Sequence, residues 1–93
     1  MENENTLLDE VKSFLNFTWT DEAKENRIKE FMASSLAYLD EVADAEIDIE
    51  NDYLARELFF NRILYMDSNA LDDFQKNYNG MLKELQIKYS NVD

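Results

Sequence analysis

The sequence predicts an all-α fold, a small bundle of four helices with an extended acidic loop between helices 2 and 3. Three observations carry this. Apolar residues recur every three to four positions through most of the chain, which is the helical period. Proline is absent and Gly80 is the one glycine, so little interrupts a helix. The 93 residues fit a single domain, 1–93, with 1–5 and 90–93 expected as flexible tails.

The first helix is expected to start at Thr6, a good N-cap, with Asp9 and Glu10 near its positive end. Leu7, Leu8, Val11, Phe14 and Leu15 fall on one face and carry it to about Asn16. Phe17-Thr18-Trp19-Thr20 is a connector whose two aromatics either plug the core or anchor a neighbouring subunit; the core is the commoner outcome. Thr20 can cap a second helix over about Asp21 to Ala43, where Ile28, Phe31, Met32, Ser35, Leu36, Leu39, Val42 and Ala43 keep the helical spacing.

From Asp44 to Asp52 acidic and apolar residues alternate. Period two predicts an extended segment or short strand, with Ala45, Ile47 and Ile49 on one side. Asn51 or Asp52 then caps a third helix through Leu54, Leu58, Phe59, Phe60, Ile63 and Met66. It is apolar nearly all round, which marks either the central core helix or one covered on its outer side by a neighbour. Asp67-Ser68-Asn69 favours a break before a fourth helix from about Ala70 to Tyr89, although the helical phase carries through from Ile63 to Leu85 and leaves one long helix open. Gly80 sits inside that helix at a cost of about 1 kcal/mol relative to Ala.

Composition narrows the chemistry. With no Cys and no His, the usual nucleophile–base pairs and the commonest metal ligands are missing. No catalytic, cofactor or metal residues are expected, and no enzymatic activity. Asp44, Glu46, Asp48, Glu50 and Asp52 imitate the alternate ligands of a calcium loop. The glycine and final glutamate that such a loop needs are Ile49 and Ala55 here. Paired acids such as Asp72 and Asp73 read as solvated charges. The formal net charge is −12, and residues 1–50 carry 14 acids against 4 bases. Such a surface repels phosphates, so sequence-specific nucleic-acid binding is not expected. No signal peptide or membrane segment is visible, and the chain reads as soluble and cytoplasmic where it is made.

Candidate partner-binding residues follow from charge and apolarity. Arg56 and Arg62 lie in the most apolar helix and need partners, either within the chain or across a subunit joint on the acidic run, including Asp44, Glu46, Asp48 and Glu50. Ile87, Tyr89 and Val92 make the end of the chain apolar, either as frayed helix or as a docking peptide.

Leu7-Leu-Asp-Glu-Val-Lys-Ser-Phe-Leu15, the Thr18-Trp19-Thr20-Asp21-Glu22 connector, Tyr38-Leu39 and Ala45-Glu-Ile-Asp48 together resemble the head–tail connector proteins of long-tailed bacteriophages. These are also called adaptor or DNA-packaging proteins. Arg56-Glu-Leu-Phe-Phe60, Tyr65, Asn69-Ala-Leu71, Phe74, Asn77-Tyr78 and Leu85-Gln86 continue the likeness, from about Thr6 to Gln86. The resemblance implies a helical subunit without catalytic residues, forming a homo-oligomeric, dodecameric ring beneath the portal protein. The ring links the portal to the head-closure (stopper) or tail protein, and DNA passes through its channel. It further implies a place in the virion, after the host cytoplasm, with a C-terminal docking segment at roughly 83–92. The competing expectation is an acidic mimic of DNA, or another helical interaction protein, that inhibits a host nucleic-acid enzyme.

Overall fold

The computed structural model describes residues 2–16 and 22–90. These form four helices, α1 (Glu2–Phe14), α2 (Glu22–Ala43), α3 (Tyr53–Asp67) and α4 (Leu71–Ser90). There is no strand among the described residues. The all-α bundle expected from the periodicity is the fold that forms.

α3 is the centre of the core. Ala55, Leu58, Phe59 and Ile63 are fully covered. α2 contributes Ile28, Met32, Leu39 and Ala43 to the core, and α4 contributes Phe74, Leu82 and Leu85. α2, α3 and α4 pack against one another pairwise. α1 adds Leu8 and Val11. It is tied down at both sides by polar contacts: Lys12 pairs with Glu25 of α2, and Glu10 with Arg56 of α3 at 2.7 Å. The principal extents of 43 × 31 × 17 Å make a flat body, so a helix can be covered on two sides and still meet solvent.

Helix ends show how a chain with one glycine turns corners. Asn16, Asp44 and Asn69 adopt φ of 62°, 54° and 60° after α1, α2 and α3. Asn and Asp tolerate this left-handed region better than other side-chain-bearing residues. At α2, Asp44 N–H donates to the Glu41 carbonyl and Ala45 N–H to the Asp40 carbonyl. At α3, Asn69 N–H donates to the Met66 carbonyl and Ala70 N–H to the Tyr65 carbonyl at 2.7 Å. Both are Schellman closures. The break at 67–69 between helices 3 and 4 is thus a built turn.

Two expectations are corrected. Thr6 lies inside α1, which already begins at Glu2, so it is not a cap. Residues 44–52 do connect helices 2 and 3 but do not form the extended segment that alternation suggested. Asp40 accepts the Ile47 N–H at 2.9 Å, and Asp48 accepts from the Asn51 backbone and side chain, folding 48–51 into a turn. Ile47 is buried while Ala45 is exposed, so the predicted common side does not exist. Of the alternating acids only Asp48 and Asp52 serve as local acceptors for turn and cap N–H groups among the described residues. The expected Thr20 cap and the Phe17–Trp19 connector lie outside the described residues.

Gly80 is helical, with nothing within 4 Å of where a Cβ would stand. Gly80→Ala is expected to stabilise the protein by about 0.5–1 kcal/mol. A thermal melt should show a midpoint several degrees higher; no increase would mean the position is strained in a way its open surroundings do not suggest.

Candidate functional site

Asp52 is the junction of the acidic loop with the chain's last helix. It caps α3, accepting from the Leu54 and Ala55 N–H groups at 3.0 and 3.3 Å. Lys88 Nζ donates to the same carboxylate at 2.8 Å, and the Tyr89 hydroxyl at 2.7 Å. The Tyr89 oxygen in turn accepts the Asp48 N–H at 3.0 Å. Burial alone would raise the Asp52 pKa. The donors from Lys88, Tyr89 and the Ala55 amide outweigh it and hold the carboxyl below its ordinary value. Tyr89, expected as part of a docking peptide, is therefore turned inward onto this knot. Ile87 on the same turn is 60% exposed, and Val92 lies outside the described residues.

The two arginines of α3 have different fates. Arg56 is satisfied within the chain: Nη2 reaches Glu10, Nη1 donates to the Ile49 carbonyl at 3.1 Å, and the guanidinium lies 5.2 Å from the Phe60 ring centre. Its carboxylate partner belongs to α1, not to the 40–52 run. Arg62 is 8% exposed and pairs with no carboxylate among the described residues. Its Nη1 donates to Ser34 and Ser35 Oγ at 3.2 and 3.1 Å and touches Met66 Sδ at 3.4 Å. The guanidinium sits 4.5 Å from the Tyr38 ring centre. Burial lowers its pKa, with Tyr38 opposing; an arginine stays charged regardless. Ser35, placed among the apolar positions of α2 by its spacing, is buried as one support of this cation.

Of the acidic loop, Asp40, Asp48 and Asp52 are used as internal acceptors. The carboxylates of Asp44, Glu46 and Glu50 make no hydrogen bond or ion pair among the described residues, and all three residues are exposed. Among the described residues no group of three or more acids is arranged to hold a metal ion. No described helix is long and apolar enough to cross a membrane.

One surface was not foreseen. The helical spacing puts Phe14 on the buried face of helix 1, yet it is 45% exposed. Its ring lies 5.5 Å from that of Phe60, which is half-buried and packs edge-on against Phe59 at 5.3 Å. Leu64, one turn along α3, is also half-buried. Together they leave an aromatic edge where α1 meets the outer face of α3. The signal available in the sequence was the apolarity of α3 on every side, more than three neighbouring helices can cover in a flat body. No family model, curated protein or solved structure matches the chain.

Proposed function

We propose that this chain is a structural assembly protein that forms a ring with copies of itself, a head–tail connector of the long-tailed phage type. It would sit beneath a portal ring, join it to the head-closure or tail protein, and leave a channel for DNA. The observation that carries the reading is the aromatic edge where Phe14, 45% exposed, lies against half-buried Phe60 on a strongly acidic protein. Contiguous apolar surface of this kind marks interaction sites. A second, unlike surface, the free carboxylates of Asp44, Glu46 and Glu50, lies on the α2–α3 connection. Unlike patches meeting at every joint generate a ring when the rotation closes. The family resemblance from Thr6 to Gln86 supports the same reading, and a net charge of −12 suits a channel through which DNA slides without sticking.

Phe14→Asp tests the edge. The change should lower stability by only about 1 kcal/mol, because it removes one half-exposed ring pair. Assembly with itself and with a portal should be lost, as read by sedimentation or electron microscopy. A folded Phe14→Asp protein that assembles like the parent would remove this edge from the joint.

A further inference from the structure

The outer side of α4 is a cationic face on an acidic protein. From Phe74 to Ser90 the chain holds three lysines and one acid, while the whole carries −12. At about 3.6 residues per turn, Lys76, Gly80, Lys83 and Ile87 fall on one stripe, opposite the Phe74, Leu82 and Leu85 face that packs inward. All four are exposed, Ile87 by 60%. Lys76 and Lys83 make no hydrogen bond or ion pair among the described residues. Gly80, with nothing within 4 Å of where a Cβ would stand, leaves the middle of the stripe flat.

A complementary surface lies on the α1 side of the molecule. Between α1, α2 and the 44–52 connection runs a groove of about 510 Å³, floored by Leu7, Leu36, Ile47 and Ile49 and edged by Asp48 and Glu50. Arg56 fixes its width, because one guanidinium holds Glu10 on the α1 wall and the Ile49 carbonyl on the other. The same guanidinium lies 5.2 Å from the Phe60 ring centre, which puts the groove beside the Phe14–Phe60 edge. Glu50, and Glu46 next to Ile47, are exposed, with carboxylates free among the described residues.

We infer that the α4 stripe of one copy seats in this groove of the next, with Ile87 on the apolar floor and Lys76 and Lys83 against Glu46 and Glu50. This rests on the self-assembly reading and names the two faces of the joint. Charge selects the occupant: the free groups of the groove are acids, and the stripe is a cationic, partly apolar helix face of the same chain. The two do not meet within one chain, since neither lysine reaches a described carboxylate. Exposed ion pairs contribute little singly, so the joint needs its apolar seat and weakens with salt. Unlike faces meeting in this way make a head-to-tail contact, the kind a ring is built from.

The test is sedimentation velocity of the full chain at low ionic strength over a roughly thousandfold concentration range. Every side chain changed is exposed, so the variants keep the fold. Glu46→Lys with Glu50→Lys moves the net charge from −12 to −8, since each replacement adds two units. General self-repulsion falls in this double variant, yet its self-association should weaken about tenfold or more. Lys76→Glu with Lys83→Glu should weaken it likewise, and the four changes together should restore the parent's affinity. Ile87→Ser, which leaves the charge alone, should also weaken it. A glutamate-to-lysine double that associates as tightly as the parent, or a fourfold variant that recovers nothing, overturns the inference and leaves the ring reading standing. A parent that stays monomeric throughout also overturns it, and the ring reading falls with it only if the parent fails to bind a portal ring.

Discussion

Phe59→Ala is expected to cost about 3–5 kcal/mol of unfolding free energy, the largest single loss available in this protein. A domain of this length has roughly 5–14 kcal/mol in total. Phe59 is fully buried and heads the largest covered side chains. It sits on the one helix that both α2 and α4 pack against, so its neighbours cannot close the cavity without giving up other contacts. Phe60→Ala, one residue on, is the control: a half-exposed ring should cost about half as much. Urea unfolding followed by circular dichroism measures both. Similar losses for the two would mean that the aromatic edge is as covered as the core.

Asp52→Ala is expected to be next, at about 2–4 kcal/mol. It removes the α3 cap, typically worth about 1 kcal/mol, and the charge-assisted bonds from Lys88 and Tyr89 to a buried carboxylate. Lys88 is itself half-exposed, which keeps its share small. Asp52→Asn should lose less, since Asn caps nearly as well as Asp. The pH dependence has a definite sign. The Asp52 carboxyl is depressed in the folded state, so its stabilisation is fully present above the ordinary carboxylate value of 3.8. It is lost as pH falls through the lower folded pKa. Acid also relieves self-repulsion in a chain this negative, an opposing effect shared by every variant. The difference in melting temperature between parent and Asp52→Asn should therefore shrink as pH drops below that value. A constant difference would mean that Asp52 acts through cap geometry alone.

Much of the fold was legible in the residues, and the misses have specific physical causes. The period of α2, the Asp52 cap and the break at Asp67–Asn69 all follow from local chemistry, which is short-range and visible in sequence. Thr6 misled because a good cap residue also sits comfortably inside a helix when the residues before it continue the turn. The acidic alternation misled because Asp40 and Asp48 accept from the Ile47 and Asn51 N–H groups and fold the segment into turns, which a period of two among side chains does not reveal.

The surfaces were harder to read. Arg56 and Arg62 look equivalent in sequence, six positions apart on one apolar helix. α1 reaches Arg56 with Glu10, whereas the α2 face over Arg62 offers serines and a tyrosine. That difference depends on how three helices meet, which periodicity does not encode. Tyr89 is similar: an apolar residue near the chain end reads as a free docking group until its hydroxyl is seen on Asp52.

Ring assembly under a portal is tested most directly by mixing the full chain with a portal ring from the same source and recording the mass and image of the complex. A connector should add as one closed ring, dodecameric as the resemblance implies, and Phe14→Asp should not add at all. A chain that leaves the portal bare, and instead binds a DNA-handling enzyme from which DNA displaces it, would contradict the connector reading in favour of mimicry.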